Sequence, residues 1–402
     1  MKIETPTVFN KFPLFFAMMI IATGQVGVSI YLPALPVISE DFGVGQEGAQ
    51  SLVSLFLIGF GLSQLFYGPL SDAIGRRPVF LWGQGLYLVG VLVCIVFSHD
   101  FNTLLFGRLL QGLGAGSASV LGRSILRDSY SGEALTRALT YLAVVASIMP
   151  ILGPFIGGWI TWHMGWQWVF GFVFIYLLTI YVLGWIILPE TLPYPVRTFY
   201  PGRIMGDYWK LLNQSQVIFN ASYNWLSYLA ALVTLMLYPF LMQEQLGLTP
   251  ASYGQLMIIP SAGLMIGSLL LTLLRRRVDH QGLLLFAIVL AGIAGIWLMM
   301  TPMTIFNLMA PFTILSISNG IIFPLATAKL LVPHGRQAGS VSALSGALQM
   351  AIAGILSGFL IEHLVKHGQS LGVFYLITSL IMVLVFFLSM SRKSLSPPVL
   401  IE

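Results

Sequence analysis

Long apolar stretches dominate the chain, and polar residues fall between them rather than alternating within them. Runs of about 20 apolar residues suit helices that cross a hydrocarbon layer about 30 Å thick. The pattern predicts twelve such helices: 13–35, 50–69, 79–98, 103–122, 138–160 and 168–187, then 216–243, 252–274, 282–301, 304–328, 338–362 and 371–390. Between the two sets of six lies 188–215, the longest polar stretch, with Pro193, Pro195, Arg197, Pro201 and Arg203. That composition predicts a linker. The expected organisation is a six-helix bundle over 1–187, the linker over 188–215 and a second six-helix bundle over 216–402. The fold class expected is an all-α membrane protein: twelve transmembrane helices in two pseudo-symmetric bundles, with a solute site between them.

Composition supports a bilayer as the solvent. Of 402 residues, 57% are apolar and only 8% are charged, against about 25% charged in soluble domains. The net charge is +5, which by itself could suggest nucleic acid. Position argues otherwise. Of the 19 Lys and Arg, all but Arg108 and Lys366 fall on one side of the predicted helices. By the positive-inside rule that side is cytoplasmic, and an even helix count puts both termini there. The surplus therefore reports orientation, and no nucleic-acid partner is expected. The lone Cys94 supports neither a disulfide frame nor a thiolate metal cluster; no metal and no cofactor are expected. The 6 His fall in loops or at helix ends, which leaves no believable nucleophile and base for an enzyme. No filter loop or charged ring of a channel is visible.

One cation interrupts this pattern. Arg108 lies inside the fourth predicted helix, in Arg108-Leu-Leu-Gln111-Gly112-Leu-Gly114. A guanidinium stays charged at any working pH and costs at least a few kcal/mol at membrane depth. Gln111 shares its helical face through the three-residue offset. Either the pair faces a wet interior, or Arg108 snorkels towards the nearer membrane surface.

Between the second and third helices the chain reads Gly68-Pro69-Leu70-Ser71-Asp72-Ala73-Ile74-Gly75-Arg76-Arg77-Pro78. This is read as a tight turn, with glycines where the backbone bends, Asp72 placed to accept from a helix N-terminus, and Arg76 and Arg77 at headgroup level. The fifth helix carries Gly153, Pro154, Gly157 and Gly158; the four-residue offset of Gly153 and Gly157 lets another helix approach closely.

These motifs resemble those of the major facilitator superfamily. Gly68, Leu70, Asp72, Gly75, Arg76 and Arg77 match its signature loop, while Ala73 stands where a basic residue is usual. The resemblance implies a conformational latch there, with Arg127 and Asp128 as candidate partners. Arg108, Gln111, Gly112, Gly114 and Ala115 match the superfamily's second signature, which implies a role in substrate or proton handling. The segment Gly153–Gly158 is similar to the antiporter signature of the drug:proton exporters. Tyr31-Leu32-Pro33-Ala34 resembles an element of the Bcr/CflA group of those exporters.

The resemblance implies proton-coupled export of hydrophobic or amphipathic small molecules by alternating access, in a bacterial cytoplasmic (inner) membrane. A metabolite or siderophore transporter of the same fold is the alternative. Such a cavity needs adaptable apolar walls and a few hydrogen-bonding groups. Gln25, Tyr31, Gln64, Asn224, Trp225, Tyr228 and Gln349 are the candidates that join Arg108 and Gln111. The 14 acids all fall in loops or near helix ends, so no deep carboxylate is identified as the proton carrier. The expected partners are amphipathic solutes, protons and membrane lipids, with the protein a monomer.

Overall fold

The computed structural model describes residues 11–192 and 199–395. Pro193, Pro195 and Arg197 of the expected linker, and the two chain termini, lie outside the described residues. Among the described residues the chain is helical, with no strand. The first six long helices are α1 (Phe12–Phe42), α2 (Gly45–Ile74), α3 (Arg76–Val96), α4 (Phe101–Ser129), α5 (Gly132–Met164) and α6 (Gln167–Ile187). A short helix follows, α7 (Pro201–Leu212). The last six are α8 (Ser215–Gln245), α9 (Pro250–Leu274), α10 (His280–Met300), α11 (Ile305–His334), α12 (Gly339–His363) and α13 (Gly368–Met390). Eleven of these are long and apolar enough to cross a membrane; α5, at 33 residues, completes the set of twelve long helices.

The helices outrun their apolar stretches. The sequence predicts 103–122 for the fourth, whereas α4 has 29 residues and is about 43 Å long. Its polar ends stand clear of the hydrocarbon, where hydropathy carries no signal. Side-chain caps fix several starts. Asp100 accepts from the Thr103 amide at 3.0 Å, and the Thr103 hydroxyl and amide hold the Asp100 carboxyl below its ordinary range. Thr249 and Thr304 cap α9 and α11 in the same manner.

Two expectations need correction. The Gly68–Pro78 segment is not a loop: α2 continues through Pro69 to Ile74, and the chain turns at Gly75 alone. Gly75 has φ +103°, and a Cβ there would lie 2.3 Å from a Glu190 oxygen, so only glycine fits. Nor is the linker structureless. Pro69 carries no N–H, so the Leu65 carbonyl one turn earlier loses its helical donor. The Tyr208 hydroxyl of α7 donates to that carbonyl at 3.0 Å. Burial, with Asp72 nearby, pushes the Tyr208 phenol up to about 12. Leu211 buries beside it, packed with Val217, Leu330 and Leu344. The helix is thereby tied to α2 on one side and to α8, α11 and α12 on the other. Pro324 acts like Pro69: it frees the Gly320 carbonyl, which takes the Ser268 hydroxyl at 3.2 Å.

Packing differs between the two ends of the molecule. At the end bearing Trp166 and Tyr238, one continuous core joins both sets of helices, with Phe56 and Tyr87 in the same cluster as Met236, Phe312 and Tyr375. At the end bearing Arg76, the core divides. Phe16, Phe80 and Ile180 form a cluster in the first set; Ile288, Ile321 and Phe386 form another in the last set. The two sets thus share one core at one end, while at the other their cores are separate and the sets touch through α7 and the packing of α2 on α12.

Candidate functional site

The gap between the two sets is a cavity of about 1470 Å³ that reaches from the Asp72–Arg76 end to mid-molecule. Both sets contribute to its wall. Five residues expected from the sequence line it: Gln25 and Gln64 from α1 and α2, Asn224 and Tyr228 from α8, and Gln349 from α12. Phe60, Phe323 and Met350 add apolar surface. Asn224 donates to the Thr327 hydroxyl at 3.1 Å, while its carbonyl oxygen is buried with no partner. Trp225 does not line this wall: its indole N–H donates to the Ser345 carbonyl at 3.0 Å, and it packs against the buried cluster that holds Leu211, Leu330 and Leu344.

At the far end the cavity is closed by contacts between the sets. Gln50 donates to the Met236 carbonyl at 2.8 Å, and Gln243 to the Pro33 carbonyl at 3.0 Å. The glycines of α5 make two seams, one within the first set and one between the sets. A Cβ on Gly157 would lie 1.9 Å from the Ile30 carbonyl, where α1 breaks into a 3-10 turn over Leu32–Ala34; a Cβ on Gly158 would lie 2.3 Å from the Pro250 carbonyl of α9. Gly153 faces Ser29, and the Pro154 carbonyl faces Gly254. The Gly153–Gly158 segment therefore packs α5 on both α1 and α9.

Arg108 and Gln111 do not line the cavity wall, and neither does Tyr31. Arg108 is 1% exposed. It donates to the Leu52 carbonyl at 3.0 Å, to the Gly27 carbonyl at 3.0 Å and to the Gln111 side-chain oxygen at 2.8 Å. Its carbon centre lies 4.4 Å from the Tyr31 ring and 4.5 Å from the Phe56 ring. Gln111 in turn donates to the Gly90 carbonyl at 3.3 Å. The guanidinium thus neither snorkels nor meets the lumen. Three neutral acceptors and two aromatic faces hold the charge, and among the described residues no carboxylate pairs with it. Phe56 and the carbonyls of Leu52 and Gly27 escaped the sequence reading; backbone acceptors leave no trace in residue identity.

Of the residues expected to form a latch, Asp72, Arg76 and Asp128 come together. The Arg76 guanidinium meets Asp72 at 2.5 Å, Ser71 at 2.7 Å and Asp128 at 2.9 Å. Its side chain is 7% exposed. Arg77 donates to the Trp185 carbonyl of α6 at 2.8 Å. Of the proposed partners, Asp128 takes part, whereas Arg127 points into the cavity and forms no ion pair among the described residues. Gly68 has only an ordinary contact with Val120.

The sequence reading missed Glu190, just after α6. It accepts from the backbone amides of Arg76 at 2.8 Å and Arg77 at 3.1 Å, capping α3 at its positive dipole end. Its position in Leu-Pro-Glu-Thr, ahead of the prolines, was the available signal. Glu190→Ala leaves two first-turn donors without this acceptor. It is expected to lower stability by about 1 kcal/mol, read as a fall in the thermal unfolding midpoint of the purified chain; an unchanged midpoint would remove the capping role.

Residues 14–358 match the pattern of the Major Facilitator Superfamily. Multidrug resistance protein D of Escherichia coli (strain K12) is 30% identical over 396 residues, covering 95% of this chain and 96% of that protein. Multidrug resistance protein MdtL of Klebsiella pneumoniae is 27% identical, covering 81% of this chain and 82% of that protein. In structure, the human organic anion transporter MFSD10 (TETRAN) superposes with a TM-score of 0.66 at 16% identity, covering 93% of this chain and 98% of that chain. The twelve long helices, the matched pattern and the full-length relatives agree: the chain is a multi-pass membrane transporter, not an enzyme, and belongs to the Major Facilitator Superfamily.

Proposed function

We propose that the chain exports hydrophobic or amphipathic small molecules across a bacterial cytoplasmic membrane, exchanging them for protons by alternating access. The observation that carries this reading is the cavity of about 1470 Å³ between the two sets of helices, open at one end and sealed at the other. Its volume exceeds the range usual for a single drug-sized ligand, and its wall mixes aromatic, Met and amide side chains. The multidrug-resistance names of relatives such as those from Escherichia coli and Klebsiella pneumoniae support export.

On this reading the cation-rich end is cytoplasmic, and the structure is the inward-facing state. Bundles 1–187 and 216–402 rock about the cavity, and the linker 188–215 follows through α7. Gln25, Gln64, Asn224, Tyr228 and Gln349 contact the solute, while Tyr31, Arg108, Gln111 and Trp225 support them from behind. The acids that line the cavity are Asp72, Asp128 and Asp207. Arg76, held by Asp72 and Asp128, ties α2, α3 and α4 together at the mouth and serves as the latch of this cycle.

The test is efflux from proteoliposomes of one neutral and several amphipathic solutes, with and without an imposed pH gradient. Exchange at one proton per solute is expected to give about tenfold accumulation per pH unit. Counterflow without any response to the gradient would replace the exchanger by a uniporter. No counterflow of any amphiphile would overturn the export reading.

A further inference from the structure

The mouth of the cavity is asymmetric in charge. Arg76, Arg123, Arg127, Arg203 and Lys210 line it, against three carboxylates. Those carboxylates are engaged: Asp72 and Asp128 hold Arg76 at 2.5 and 2.9 Å, and Asp207 lies 3.8 Å from Lys210. Arg123 and Arg127 form no ion pair among the described residues. They are four apart on α4, so they share one face. Like charges at that spacing repel, a cost the fold accepts only where something offsets it. Across from them is the first turn of α12. Arg123 donates to the Ser342 hydroxyl at 3.2 Å, and Arg127 lies 3.9 Å from where a Cβ on Gly339 would stand. No side chain caps that helix start, so its positive dipole end adds to the two guanidiniums.

We infer that Arg123 and Arg127 form an oxyanion site at the cavity mouth, which takes the carboxylate, sulfonate or phosphate head of an amphiphile whose apolar part lies along Phe60, Phe323 and Met350. The inference rests on the transport reading and narrows its substrate class. Guanidinium forks match the geometry of an oxyanion. The bound head neutralises the repulsion between the two arginines. The anion has two sources: a free solute on its way out, or the headgroup of an anionic lipid resident at the mouth.

A matched pair of probes tests this. 1-Anilinonaphthalene-8-sulfonate and N-phenyl-1-naphthylamine differ by the sulfonate alone. Binding of both to the full chain is measured in phosphatidylcholine nanodiscs, with empty discs subtracted. The wild type is expected to prefer the sulfonate, and the preference should decline with salt. The double change Arg123→Gln, Arg127→Gln should lower the sulfonate-to-neutral ratio about tenfold or more, the size expected from losing charge-assisted hydrogen bonds. The double Lys change should keep part of it. A ratio unchanged in the Gln variant overturns the site, and so does equal loss of both probes. The source is read from discs containing phosphatidylglycerol. Retention of that lipid by the wild type in native mass spectrometry, lost in the Gln variant with displacement of the sulfonate probe, assigns the site to lipid. Unaltered sulfonate binding in those discs assigns it to a free solute. Failure of the transport reading is separate: it is absence of counterflow for every amphiphile, charged or neutral, in the wild type.

Discussion

Arg108→Ala is expected to stop transport and to destabilise the whole chain, the two effects together. The guanidinium pins three helices: α4 carries it, Leu52 of α2 and Gly27 of α1 accept from it, and the Tyr31 and Phe56 rings cover its faces. Truncation leaves a hole and strips the Gln111 side-chain oxygen of its donor. Truncation of a large buried side chain costs about 2–5 kcal/mol. A charge in oil is itself costly, and its removal returns part of that sum, so the lower half of the range is expected. Arg108→Lys keeps the charge but not the fork, and one ammonium cannot reach three divergent acceptors and two rings. It should fall between wild type and Ala. Thermal unfolding of purified protein, paired with counterflow, is the measurement. Full transport by the Ala variant would show that the cluster has no role in the cycle. Lost transport with an unchanged unfolding midpoint would mean that Arg108 acts on solute or proton and not by tying helices together.

Gly158→Val should trap the protein in its other state. Gly157 and Gly158 are neighbours with different duties. Gly157 abuts Ile30 inside the first set of helices, so a side chain there damages that set in every state. Gly158 abuts Pro250 and Gly254 of α9, across the seam between the sets. A branched side chain at Gly158 is compatible only with a molecule whose far end has opened. Close-packed interiors do not absorb such an overlap by small shifts, so the sealed state loses population. Moving a two-state balance from 1:99 to 99:1 takes about 5.5 kcal/mol, and a backbone contact of this kind is severe enough to supply much of it. The reporter is a cysteine at Gln50, which is 1% exposed in the sealed end. Cys94 is buried, which keeps background reaction low. In the Gln50→Cys background, Gly158→Val should raise labelling by an impermeant maleimide about tenfold or more. Gly157→Val should lower the unfolding midpoint instead. Equal labelling with and without the Gly158 change would show that this seam does not set the equilibrium.

Much of the molecule was legible in its residues. Apolar run length gave the helix count, because the bilayer imposes a minimum span on each crossing. Asp72 and Arg76 stood out through their motif and Asp128 as a candidate partner implied by the family resemblance, and the structure joins them through Arg76. Gln25, Gln64, Asn224, Tyr228 and Gln349 were foreseen as wall residues and do line the cavity. Three features resisted. Helix α7 has only 12 residues, and its stability comes from docking Tyr208 and Leu211, not from propensity. Glu190 caps a helix that begins 114 residues earlier. Arg127 and Asp128 are adjacent, yet one enters the cavity and the other pairs with Arg76, since consecutive residues on a helix point about 100° apart.

What the sequence alone determined is the class of molecule: a lipid-solvated bundle with one forbidden charge, a cation-rich face and a set of glycine seams. Those are properties of composition and local period, and they need no partner to be read. Tertiary structure decided which groups answer that charge, from carbonyls 56 and 81 residues away, and which end of the bundle is shut. Carbonyl acceptors look alike at every position in a sequence. Only the packing of α1 and α2 on α4 selects the two that face Arg108.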